Sequence, residues 1–116
     1  MYSRTKPTVC VVHWPDHGVI KAGYGERQRW RPFVLRGAEV VDLIEFDTST
    51  DAFAFETVVL DMLESLCAPA FVSASESVAL LGNSGSGHLE CYLLPSGISP
   101  MELLCNANWA GGSISA

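Results

Sequence analysis

The strongest constraint on this 116-residue chain lies near its start, where two extended runs meet across a short turn. Thr8-Val9-Cys10-Val11-Val12-His13-Trp14 is rich in β-branched residues and reads as a buried strand. Pro15-Asp16-His17-Gly18 has turn chemistry: Pro presets one φ, Asp bonds back to the chain, and Gly permits φ > 0. Val19 to Gly23 follows as a second strand. Two such runs joined by so short a loop predict a β-hairpin and commit the fold to an antiparallel sheet.

Gly23-Tyr24-Gly25 is a break that opens a helix at about Glu26. Trp30, Phe33 and Val34 give that helix a narrow apolar stripe. Pro32 belongs in a first turn, so the helix either begins near Gln28 or is kinked, and Gly37 is a natural stop. Val40 to Phe46 reads as a third strand. Asp47-Thr48-Ser49-Thr50-Asp51 offers several N-caps for the clearest helix in the chain, Ala52 to Leu66. Its predicted apolar face is Phe55, Val58, Val59, Met62, Leu63 and Leu66, with Glu56 at the edge and Asp61 and Glu64 toward solvent.

The pattern weakens after Pro69. Ser73-Ala74-Ser75-Glu76 caps a short helix, Glu76 to Leu81. Gly82 to Gly87 is a loop without the Gly-Lys-Ser/Thr ending of a phosphate-binding P-loop. Glu90 to Leu94 reads as a last strand, and Pro100 to Cys105 as a last short helix with Pro at N1. The expectation is one α+β domain over 1–109, a small three- to four-stranded antiparallel sheet flanked by helices, with a disordered tail at 110–116.

Charge is unevenly spread. All seven Lys and Arg residues lie within positions 1–36, where Asp16 and Glu26 are the only acids, so that stretch carries +5. The remaining eleven acids give residues 37–116 a charge of −11. A basic zone on a chain of net charge −6 is a landing place for phosphate, while the total disfavours indiscriminate nucleic-acid binding. The competing reading is a solvated arginine face paired with acids elsewhere. Cys10, Cys67, Cys91 and Cys105 form no Cys-x-x-Cys motif, and His13, His17 and His88 do not complete zinc-ligand spacing with them, so the cysteines read as small buried hydrophobes. No apolar run approaches the roughly 20 residues that cross a bilayer. The N-terminus lacks a signal-type pattern, so the chain reads as soluble and cytoplasmic.

A hairpin, arginines at the start of a helix, a strand, then a helix bearing a glutamate: over residues 9 to about 66 this order resembles the GIY-YIG nuclease superfamily. It is most similar to the phage and bacterial branch with a Lys-x-Gly second strand, here Lys21-Ala22-Gly23. Gly87-His88-Leu89-Glu90-Cys91-Tyr92 resembles the Gly-x-Thr-Glu-aromatic ending of that branch. The resemblance implies a three-stranded antiparallel sheet with flanking helices and hydrolysis of DNA phosphodiesters. The phosphate-stabilising arginine would be Arg29, with Arg27 or Arg31 as register alternatives. Glu56 would hold Mg²⁺ (or Mn²⁺), a hard cation suited to carboxylate.

The superfamily's two tyrosines map onto Cys10 and Ile20, so neither phenol is present. Tyr24 or His13 would then serve as base, with Cys10 a third candidate if its thiol pKa were depressed. Lys21, Arg27, Arg31 and Arg36 complete the expected nucleic-acid contacts, to DNA or RNA. The bland readings stand beside these: Lys21 on the exposed side of an edge strand, His13 a strand histidine, Tyr24 and Trp30 packing residues, and Glu90 bonding loop amides. Without catalysis, the same fold would be a module binding nucleic acid or a protein. Sequence-specific cutting by so short a chain implies a homodimer or a larger assembly.

Overall fold

A computed structural model describes residues 6–25, 30–82 and 87–106. Arg27, Arg29, most of the Gly82–Gly87 loop and the 110–116 tail lie outside the described residues. The hairpin forms as expected. Strand β1 (Thr8–Trp14) pairs antiparallel with β2 (Val19–Gly25), from Thr8 opposite Gly25 to Trp14 opposite Val19. In the turn, the Trp14 carbonyl accepts from the His17 and Gly18 amides at 3.1 and 2.9 Å. Gly18 sits at φ 64°, the left-handed region that a Cβ disfavours.

Strand β3 (Glu39–Glu45) flanks β1, and β4 (Cys91–Leu93) flanks β2, giving four antiparallel strands in the order β3-β1-β2-β4. The β1–β3 register slips by one residue between Val11 and Val12, whose partners are Asp42 and Val40, so Val41 is extra on β3. The fold is therefore α+β, with a four-stranded sheet and helices packed on it.

Since β1 is central and covered on both faces, its run is almost continuously buried. Alternate residues divide between two cores. Val9, Val11, Ile20 and Ala22 meet Val59 and Leu63 of α2 (Ser49–Leu66) and Leu103 and Leu104 of α4 (Pro100–Asn106). Cys10, Val12, Trp14 and Val19 meet Leu80 and Leu81 of α3 (Val78–Leu81), with Trp30 and Phe33 of the α1 region (α1, Arg31–Leu35) packed alongside. Burying each such aliphatic side chain is worth about 1.5–3 kcal/mol.

Two helices differ from their sequence reading. Helix α1 spans only Arg31–Leu35 with Trp30 as N-cap, because Pro32 is confined to the first turn. Its Phe33 is half-buried while Val34 is exposed. Helix α2 is capped by Thr48, whose Oγ1 accepts from the Asp51 amide at 3.1 Å. Its buried stripe is Ala52, Glu56, Val59 and Leu63, rotated from the expected face, and Val58 and Leu66 are exposed. The capping box before α3 forms as read: Glu76 Oε1 accepts from the Ser73 amide at 3.4 Å and the Val72 amide at 2.7 Å.

The charge zones of the sequence are not separate in space. Lys6 meets Asp47 at 3.3 Å and Lys21 meets Glu90 at 2.8 Å, so each links the basic stretch to the acidic remainder. No described helix is long and apolar enough to cross a membrane.

Candidate functional site

Strand β4 pairs with β2 only from Val19 to Lys21, so the Gly23–Gly25 half of β2 has no strand on that side. A cavity of about 420 Å³ opens there. Its walls include Thr8 and Cys10 of β1, Lys21 and Gly23 of β2, Trp30 and Phe33 around α1, Glu56 of α2, and Glu90 just before β4.

Strand alternation selects which residues look into it. Lys21, directly opposite Val12, shares a face with Cys10 and Gly23. Ile20 is fully buried in the other core, against α2 and α4. The β2 position that faces the cavity is thus Lys21, not Ile20, and a tyrosine at 20 would point away from it. The cavity therefore holds a thiol at Cys10 and an ammonium at Lys21.

Lys21 is not an exposed edge residue; it is 5% exposed. Its Nζ donates to Glu90 Oε1 at 2.8 Å and to the Ala22 carbonyl at 3.5 Å, and it lies 5.4 Å from the centroid of the Phe33 ring. A Cβ on Gly23 would come within 2.8 Å of that Nζ, so the glycine two residues along the same face leaves room for the ammonium at the end of the lysine. This is a physical reason for Lys-x-Gly on this strand. At Gly87 (φ 90°) a Cβ would lie 3.2 Å from Glu90 Oε1 and 3.4 Å from Lys21 Nζ, so a second glycine flanks the pair.

Glu56 reaches the cavity from α2 and is 7% exposed. Its Oε2 accepts from the Tyr24 amide at 2.9 Å, on the stretch of β2 that β4 leaves uncovered. Burial pushes the Glu56 carboxyl up from its ordinary range, and the nearby Glu90 charge pushes the same way. The Tyr24 amide and Lys21 only partly offset them. Two carboxylates thus face one cavity.

Tyr24 lines the rim, 36% exposed, with its ring edge-on to Phe53 at 6.1 Å. Burial drives the Cys10 thiol up to about 11 although Lys21 pulls it down, so Cys10 is protonated near neutrality and is not the base. His13 does not line the cavity. It pairs with Ile20 and Glu39 and alternates out of the Cys10–Val12–Trp14 face, and burial lowers its pKa. Arg31 and Arg36 are exposed at the two ends of α1, and Arg36 Nη1 donates to the Pro32 carbonyl at 3.4 Å.

The convergence of Arg29 with Glu56 involves a residue outside the described ones. Within them, Lys21, Tyr24 and Glu56 come together, and His13 does not join them. Glu90 is the residue that sequence reasoning left as a loop-bonding acid. Its available signal was the Gly87-x-x-Glu-x-aromatic stretch leading into β4.

Among the described residues no group of three or more His, Cys, Asp and Glu side chains is placed to hold a metal ion. The two carboxylates that line the cavity, Glu56 and Glu90, repel each other, and a hard cation held between them would relieve that repulsion. Comparison of the chain with protein-family models, with curated proteins and with solved structures finds no match.

Proposed function

We propose that this chain is a metal-dependent nuclease of GIY-YIG type that hydrolyses phosphodiester bonds in the cavity beside β2. One observation carries the reading: Lys21 and Glu56, far apart in the chain, meet in one concave site with a second carboxylate, Glu90.

Each part has a role that phosphodiester hydrolysis requires. The Lys21 ammonium supplies positive charge for the non-bridging oxygens, and Phe33 beneath it keeps that charge in a partly dry setting. Glu56, assisted by Glu90, would hold Mg²⁺ or Mn²⁺, which when bound polarises the phosphate and neutralises charge on the leaving oxygen. Tyr24 borders the cavity and is the candidate whose phenol oxygen would receive the proton of the attacking water, passing its own to solvent. The water oxygen bonds to phosphorus, the bond to the sugar oxygen breaks, and that oxygen takes a proton from a solvent water at the open mouth of the cavity. Arg31, Arg36 and, from the sequence, Arg27 and Arg29 supply further positive charge for the strand.

The test is nicking of supercoiled plasmid DNA with Mg²⁺ or Mn²⁺, against an EDTA control. Wild type is expected to nick, and Glu56→Gln to lose about a hundredfold or more. Absence of nicking with either metal, or wild-type rates from Glu56→Gln, rejects the enzyme.

A second reading has its own support. Cys10 and Ile20 stand where the resemblance asks for phenols, and Lys21 is already paired with Glu90. In that reading the domain is a catalytically inactive module binding nucleic acid or a protein. Salt-sensitive binding of DNA or RNA without cleavage, weakened by replacing Arg31 and Arg36, is its signature.

A further inference from the structure

The cavity has more to it than a phosphate needs. Its 420 Å³ corresponds to about fourteen waters at about 30 Å³ each, more than one phosphate group with a hydrated cation fills. The polar groups lie together: Lys21 pairs with Glu90, and Glu56 is tied to the Tyr24 backbone. The remaining wall carries the aromatic residues Trp30 and Phe33, with Pro32 between them. Trp30 and Phe33 pack against the Cys10–Trp14 core yet stay only partly buried, so part of each ring remains open toward the cavity side.

Resting on the phosphodiester reading above, we infer that this wall is a nucleobase subsite: it seats the base of one unpaired nucleotide while the adjoining phosphate lies at Lys21. Aromatic rings inside a concave site cannot reach a base that is stacked within a duplex. Such a site takes a base that is single-stranded or extruded, and stacking on it tolerates any base because each has a π-face. The charge balance points the same way. A chain of net charge −6 is poorly suited to track a long phosphate backbone, so a grip on one base next to one or two phosphates is the economical mode. The substrate class is then single-stranded or frayed nucleic acid rather than continuous duplex.

Binding in EDTA, read by fluorescence anisotropy, tests the inference. The probes are a labelled single-stranded oligonucleotide, the same strand carrying abasic sites throughout, and a blunt duplex of the same sequence. Expected are at least tenfold preference for the intact single strand over both others, a salt slope of about −1 to −2, and about five- to hundredfold weakening by Trp30→Leu or Phe33→Leu. Circular dichroism establishes that each variant folds. Should Trp30→Leu not fold, Phe33→Leu decides. Equal affinity for intact and abasic strands, or aromatic variants that bind like wild type while Lys21→Met does not, overturns the base subsite and leaves the phosphate site standing. No binding of any probe removes both.

Discussion

The two faces of the central sheet are built from alternate residues of the same strands, yet they are closed differently. On one face, Val9, Val11, Ile20 and Ala22 are sealed by α2, 18 residues long, and by α4. On the other, the cover is α1 and α3, five and four residues long, together with the segment before β4. Short elements cannot roof a whole sheet face. The part they leave open, past the end of β4, is where Lys21, Glu56, Glu90 and Cys10 gather. A long amphipathic helix makes a core, and fragmentary cover makes a site.

Substitutions that hit one face and spare the other can break this comparison. The largest effect belongs to the sealed face. Leu63→Ala, at a position 1% exposed, should cost about 2–5 kcal/mol in urea unfolding. A loss under 1 kcal/mol would mean that α2 does not close that core as described.

Next comes the ion pair of the open face. Lys21→Met leaves the Glu90 carboxylate without its partner and should cost about 1–3 kcal/mol, discounted because Glu90 is partly solvated. Adding Glu90→Gln should recover most of that, which a double-mutant cycle measures. Additive losses would show that the two groups do not interact. Gly23→Ala should displace the Lys21 ammonium at a stability cost of about 1 kcal/mol or less, since the clash is with the end of a flexible side chain. Oligonucleotide binding should fall more than stability does, and a normal binding constant would argue against Lys21 as the phosphate contact.

The smallest effect is the pH dependence of Glu56. Its carboxyl titrates above the ordinary 4.5 in the folded chain, so the folded state holds its proton to higher pH than the unfolded state does. Its contribution to stability is therefore full below the unfolded pKa and is lost as pH rises through the raised one. Glu56→Gln should flatten that part of the stability–pH curve and leave the chain slightly more stable at neutral pH. An unchanged curve would place the carboxylate in water rather than in the cavity.

Much of this was legible in the chain. The hairpin, the third strand, the long helix, the Ser73–Glu76 capping box and the proline-led last helix follow from local rules of turn, cap and period. Lys21, Tyr24 and Glu56 could be picked out through the resemblance, and they share one cavity. Other points were not legible. Six apolar residues on α2 suggested a face centred near Phe55 and Leu66, whereas the buried stripe of Ala52, Glu56, Val59 and Leu63 is rotated away from Val58, because small Ala52 lets the helix sit close and Glu56 finds a backbone amide at the strand edge. His13 stood three residues from Cys10, and in a strand an odd offset means the opposite face.

Local chemistry along the chain was enough to set where strands, turns and helices begin, since caps, prolines, glycines and apolar periods act over a few residues. It could not say that Glu90 reaches Lys21 across 69 positions, that Lys21 rather than Ile20 looks into the cavity, or that the basic stretch is stitched to the acidic one. Those relations depend on strand order, register and the length of β4. A charge finds its partner through the packed fold, and sequence distance carries no information about which partner that will be.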